Sequence, residues 1–244
     1  MKKISTYIIK QLSRFIYLLI PEEFKQNSSS IKVKAYLEYE KKQIEDSFNH
    51  FEKYLIKSIH FENERDIRKY AIEKSLLNDN EKNKTYIEFG VFEGRSINFF
   101  SNYVKTIYGF DSFEGLKENW LGTKVLKKEF SINKETKILN TNLNSNVIAV
   151  TGWVQDTLKD FLSKNKPAIN FVHMDLDTYE STKYVLENIK PYLDKNAIIL
   201  FDELHNTIGW KNGEYKALKE TFDENEYTYK GFCVYGAQTV IQLN

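Results

Sequence analysis

The chain contains a single cysteine, Cys233. No intrachain disulfide can form, which agrees with a reducing compartment. Three prolines and ten glycines argue against a long disordered region. An excess of one charge is missing too. The 35 Lys and Arg residues nearly balance 34 Asp and Glu, so the composition does not favour a polyanionic partner, and nucleic acid is not expected as the main ligand. A membrane-spanning run is absent: the most apolar stretch near the start, Met1 to Ile20, is broken by Lys10, Gln11, Ser13 and Arg14. That stretch also lacks the small-residue cleavage site of a signal peptide. What remains is a 244-residue chain with 41% hydrophobic and 15% aromatic residues. It can build the core of one large domain, with or without an extension.

The first 84 residues read as a helical extension. Ile4, Ile8, Leu12, Phe15 and Leu19 fall three or four apart and form one apolar face beside Lys2, Lys3, Lys10 and Arg14. Such a helix suits packing on its own domain or on a second subunit, giving a homodimer. It also suits peripheral contact with an anionic membrane surface through residues 1–20, placing a cytoplasmic protein at the inner face. Gln26 to Ser30 is a polar break. Ile31 to Asn78 has no glycine or proline and favours helices, and Asn78 to Lys84 is a second break. The extension is expected to cover the mouth of a site or to build a dimer.

From Thr85 the rhythm changes. Short apolar runs at 86–89, 106–110, 147–151, 168–174 and 197–201 alternate with helical patterns at 96–104, 156–163, 178–193 and 214–222. Two strands, near 227–235 and 239–243, close the chain. Strand–helix alternation predicts an α/β fold: a Rossmann-like, mostly parallel sheet with helices on both faces. The ligand of such a sheet sits at the carboxyl ends of the strands.

The first of these strands runs into Glu88-Phe89-Gly90-Val91-Phe92-Glu93-Gly94 and opens a helix at Ser96. Gly90 permits a sharp turn and a close ligand, and Gly94 close helix packing. Free amides at the helix start can hold polar groups. The two glycines stand as G-x-x-x-G rather than the three of G-x-G-x-x-G, which argues against a pyrophosphate cofactor and a nicotinamide dehydrogenase. Asp111 ends the second strand, where an acid can accept both hydroxyls of an adenosine ribose. The plainer alternative is a tight strand–helix turn with Asp111 capping the next helix.

Acids also gather at two later strand ends: His173-Met174-Asp175-Leu176-Asp177 and Phe201-Asp202-Glu203-Leu204-His205. Adjacent parallel strands would bring these carboxylates to one edge. Clustered oxygen donors suit Mg²⁺, Mn²⁺ or Ca²⁺, and such a cation would help deprotonate a hydroxyl. Without a cation the acids would repel one another and their pKa values would rise. For Asp177 the rival reading is a helix cap with Glu180; for His173, a core histidine. His205 reads as a base or a substrate contact in a loop.

These motifs carry a resemblance. Glu88 to Ser96 resembles motif I of class I methyltransferases, which use S-adenosylmethionine (SAM). Asp111-Ser112-Phe113-Glu114-Gly115-Leu116 and Gly152-Trp153-Val154-Gln155-Asp156-Thr157-Leu158 resemble segments of the macrocin and mycinamicin sugar O-methyltransferases. The likeness covers roughly Thr85 to Asn244. It implies a seven-stranded class I sheet and a SAM site built from Glu88, Phe89, Gly90, Gly94, Ser96, Asp111, Ser112, Gly152, Trp153 and Asp175. Asp175-x-Asp177-x-Tyr179-Glu180-Ser181-Thr182 resembles the motif of the metal-dependent members. By that resemblance Asp175, Asp202 and Glu203 hold Mg²⁺, Mn²⁺ or Ca²⁺, and Asp177 takes the acceptor's proton. Glu203 stands where those enzymes usually carry a second Asp. The implied activity is O-methylation of a sugar or glycoconjugate. The alternatives are a metal-independent methyltransferase of the same fold and a non-catalytic methyltransferase-like binding subunit.

Overall fold

A computed structural model describes residues 30–132 and 143–244. The amphipathic stretch at residues 1–20, with its proposed membrane and dimer contacts, lies outside them. The described residues fall into two units that meet between Lys42 and Gln43. Helix α1 (Ser30–Leu55) begins in the first and ends in the second. In the first unit the rings of Tyr36 and Tyr39 lie 5.9 Å apart. Among the described residues, no helix is long and apolar enough to cross a membrane.

The second unit is built on an eight-stranded sheet. Its elements after α1 are β1 (Ile59–Phe61), α2 (Glu64–Leu76), β2 (Thr85–Phe89), α3 (Arg95–Ser101), β3 (Ile107–Asp111) and β4 (Val147–Thr151). They continue with α4 (Val154–Asn165), β5 (Ile169–Met174), α5 (Tyr179–Ile189), β6 (Leu193–Phe201), α6 (Glu214–Thr221), β7 (Tyr227–Cys233) and β8 (Thr239–Leu243). The strand order is β1-β7-β8-β6-β5-β2-β3-β4. Only β8 runs antiparallel to its neighbours. This is the Rossmann-like, mostly parallel sheet the sequence predicts, with one strand more than the seven expected. The addition is β1, drawn from the segment read as helical. It pairs in parallel with β7, and Asn63 then caps α2 by accepting from the Asp66 amide. Helix α5 is shorter than the apolar pattern suggests. Pro191 has no N–H to give, so the chain tightens into a 3₁₀ turn over Lys190–Tyr192 and enters β6 at Leu193.

Strand alternation assigns each side chain to a face. Ile87, Phe89, Val172, Met174, Ile199 and Phe201 pack beneath α4, α5, α6 and Phe51 of α1. Tyr86, Phe171, Ile198 and Leu200 pack on the other face, beneath Ile67, Ala71 and Ile72 of α2 and Ile97 and Phe100 of α3. Glu88 and His173 share the parity of this second set, and so they point toward α2 and α3. Apolar burial on both faces supplies the main folding force, at about 25 cal/mol per Å².

Candidate active site

The sheet's hydrogen bonding continues one residue past β2, β4, β5 and β6. The Gly90 amide donates to the Phe110 carbonyl at 2.9 Å, the Asp175 amide to Phe89 at 2.9 Å, the Asp202 amide to Met174 at 3.0 Å and the Gly152 amide to Asp111 at 2.9 Å. Asp202, Asp175, Gly90, Asp111 and Gly152 therefore line up along the carboxyl edge. A cavity opens there, lined by Gly90, Phe92, Asp111, Ser112, Trp153, Asp175, Asp177 and Glu203, with Leu116, Lys117, Trp120 and Phe130 forming its outer wall.

One half of the cavity centres on Gly90. Its φ of 89° lies in the left-handed region, and a Cβ there would overlap the Asp175 carbonyl. Only glycine serves at this turn. Asp111 reaches across the turn. One carboxylate oxygen accepts the Val91 and Phe92 amides, each at 2.8 Å, and the other accepts the Phe113 amide at 2.7 Å. A carboxylate has about four acceptor positions, so part of its capacity remains for a ligand hydroxyl. Among the described residues no helix begins at Asp111, so the plain capping reading does not describe it. Trp153 offers a ring to the cavity, with the Lys117 ammonium 5.5 Å above it.

Other residues of the expected SAM set sit behind the wall. Glu88 is fully buried, accepts from Ser96 Oγ at 3.0 Å and pairs with His173 Nδ1 at 3.0 Å. Phe89 belongs to the core. Gly94 (φ 79°) starts α3, and Gly152 (φ 136°) makes the turn before Trp153.

The acid half has two layers. Ligand-competent atoms of Asp175, Asp177 and Glu203 lie within 4.8 Å of one another, as do those of His173, Asp175 and Asp202. The two layers arise because neighbours on a strand face opposite ways. Asp202 keeps the parity of Ile198 and Leu200 and turns toward α2, where His173 Nε2 lies 3.3 Å from its Oδ1. Glu203 turns the other way, its amide donating to Glu214 Oε2 at 2.9 Å. The expected trio of Asp175, Asp202 and Glu203 is thus divided, and Asp177 joins the layer that faces the cavity. Asp177 is not the helix cap: Thr178 holds that position, and Asp177 sits at φ 61°, a strained conformation for a residue with a side chain.

The charges follow from burial. Asp177 is pushed up to about 7 by burial, then by the charges of Asp202 and Asp111. Asp175, Glu203 and Glu214 are raised well above the usual carboxylate range, burial first and neighbouring acids next. Asp202 differs. Burial opposes its ionisation, but His173 and Arg68 outweigh it and hold its carboxyl below the usual range. Burial would lower His173, yet its bonds to Asp202 and Glu88 raise it to about 10. Glu203 Oε2 and Glu214 Oε1 are buried with no hydrogen-bond partner. Unpaired, crowded carboxyl oxygens fit a hard cation: Asp175, Asp177 and Glu203 offer it directly, with Asp202 alongside.

His205 is not brought to the cavity. It is 5% exposed, contacts the Ala237 carbonyl and Thr239 hydroxyl at 2.9 Å each, and packs edge-on against Phe51 and Phe232. Burial lowers its pKa to about 4. Three residues that the sequence did not single out do reach the site: Glu214, Arg68 and Gln238.

Comparison with known proteins adds to this geometry. Residues 87–204 match the family model described as a methyltransferase domain. No curated protein sequence matches the chain. The crystal structure of CalS11, a calicheamicin methyltransferase, is similar at 26% identity and TM-score 0.59, covering 71% of this chain and 76% of that one. An apo structure of CalS11, described as a TDP-rhamnose 3'-O-methyltransferase, gives 24% identity and TM-score 0.53 over 71% and 76%. The O-methyltransferase NovP gives 19% and 0.52 over 74% and 79%. The last two likenesses speak for the fold alone.

Proposed function

We propose that this chain is a SAM-dependent methyltransferase, a reading supported by the methyltransferase-domain match over residues 87–204 and the likeness to CalS11, and that it methylates a hydroxyl of a sugar or glycoconjugate with the help of a divalent cation. One observation carries the reading: the carboxylates of Asp175, Asp177 and Glu203 converge beside the glycine turn that would seat the methyl donor. CalS11, similar at 26% identity, is described as a TDP-rhamnose 3'-O-methyltransferase, and that description of the neighbour suggests the acceptor class.

SAM supplies a methyl group on a cationic sulfur. Gly90 lets its methionine portion approach the backbone, Asp111 meets the ribose, and Trp153 offers a face to the adenine. With donor and acceptor bound, the acceptor oxygen would attack the methyl carbon in line, its proton would pass to an Asp177 carboxylate oxygen, and the carbon–sulfur bond would break to leave S-adenosylhomocysteine. Holding both partners in this alignment contributes much of the rate. A base with a pKa near the working pH suits the proton transfer. A Mg²⁺, Mn²⁺ or Ca²⁺ ion would be held by Asp175 and Glu203, with Asp202 alongside, and would supply Lewis acidity toward the acceptor hydroxyl.

Asp177→Asn separates the steps. It keeps the side chain's shape and removes the base. Expected is a loss of turnover of about 100-fold or more, with SAM affinity by calorimetry unchanged. Turnover at the wild-type rate would overturn the role of Asp177. Absence of SAM binding in the wild type would overturn the cofactor site.

A further inference from the structure

Three donors from three separate elements converge on one oxygen of Asp202. Arg68 Nη2, on α2, lies 3.3 Å from Oδ1. His173 Nε2, on β5, lies 3.3 Å from the same atom. Gln238 Nε2, just before β8, donates to it as well. Arg68 is also paired with Glu64 at 3.1 Å, one helical turn back. Its guanidinium is largely covered, and its Nε is buried without a partner. Helix α2 lies upstream of the segment that matches the methyltransferase family.

An oxygen that accepts three hydrogen bonds has no lone pair left for a cation. Asp202 can then serve a cation only through Oδ2, and the direction of Oδ2 is fixed by what grips Oδ1. We propose that Arg68 and Gln238 are positioning residues: they clamp Oδ1 so that Oδ2 is presented to a cation held by Asp175, the acid that the two layers share. His173, itself held by Glu88, is the third jaw. Residues that orient a metal ligand from behind typically set metal affinity by roughly 10- to 100-fold. The inference rests on the cation reading above and adds residues from outside the family match.

The guanidinium has two opposing effects. As a positive charge it repels a cation; as a donor it fixes the ligand. The clamp requires the second to win. The bland alternative is an ion pair that only ties α2 to the sheet, which would change stability and leave cation affinity alone.

The test uses the full chain and Mn²⁺, followed by electron paramagnetic resonance of the free ion, with SAM calorimetry confirming an intact fold. Arg68→Met and Gln238→Met should each weaken Mn²⁺ binding by roughly 10-fold or more, with SAM affinity unchanged. Arg68→Lys, which keeps one donor, should recover part of the loss. Should Arg68→Met not fold, Arg68→Lys and Gln238→Met carry the comparison. Unchanged or tighter Mn²⁺ binding in the folded variants would overturn the clamp while leaving the cation site standing. A wild-type chain that binds no Mn²⁺ would remove the cation reading and the clamp with it.

Discussion

Protons and a divalent cation must compete for the acid cluster, and the size of that competition follows from Asp177. Its carboxyl is raised to about 7 when no cation is present, and its oxygen lies within 4.8 Å of ligand atoms on Asp175 and Glu203. At pH 8 about nine in ten Asp177 carboxyls are ionised; at pH 6 only about one in ten. If the protonated form excludes the cation, lowering the pH from 8 to 6 weakens binding about 10-fold, or about 1.4 kcal/mol. Asp175 and Glu203 are also raised, so this is a lower bound. The assay is Mg²⁺ or Mn²⁺ calorimetry at pH 6, 7 and 8, repeated in buffers of different ionisation heat to count the protons released. Affinity that stays flat from pH 8 to 6, with no proton release, would refute the reasoning.

Stability should show the same competition with its sign reversed. Asp177 binds its proton more tightly folded than unfolded, so its contribution is full below about pH 4 and is lost as the pH rises through about 7. The thermal midpoint in EDTA should therefore fall between pH 5 and pH 8, and Mg²⁺ should restore it most at pH 8; equal effects of Mg²⁺ at both pH values would count against this. Gly90→Ala should remove detectable SAM binding or prevent folding, because its Cβ would overlap the Asp175 carbonyl; near-normal SAM affinity by calorimetry would contradict the turn's role. His205→Asn should lower the melting temperature by a few degrees and leave turnover per folded molecule within about threefold, since the ring is buried away from the cavity. A 100-fold loss of turnover would restore His205 as a catalytic candidate.

Much of this site was legible in the sequence because strand ends are easy to find. Gly90, Asp111, Asp175 and Asp202 each follow an apolar run, and adjacent parallel strands place such residues on one edge. Parity was the overlooked signal. Counting along β5 and β6 puts His173 and Asp202 on the α2 side and Glu203 on the other. That would have divided the expected metal trio and linked Glu88, His173 and Asp202 in advance. Glu214 gave a weaker sign, an acid in the first turn of a helix, where the dipole alone explains it. Arg68 and Gln238 gave none: a basic residue in a helix-forming stretch and an amide before a strand become significant only when α2 docks on the sheet. β1 was hidden for a related reason. Three residues carry too little periodicity to stand out between two helices, and their pairing partner, β7, lies far along the chain.

The most direct test of the function is methyl transfer itself. The purified chain should be incubated with methyl-labelled SAM and a panel of free sugars, nucleotide sugars and glycan extracts, with Mg²⁺ or with EDTA. Expected is label on a sugar oxygen, identified by mass spectrometry, and its loss in EDTA. Label on no hydroxylated acceptor, or transfer undiminished by EDTA, would contradict a cation-assisted sugar O-methyltransferase.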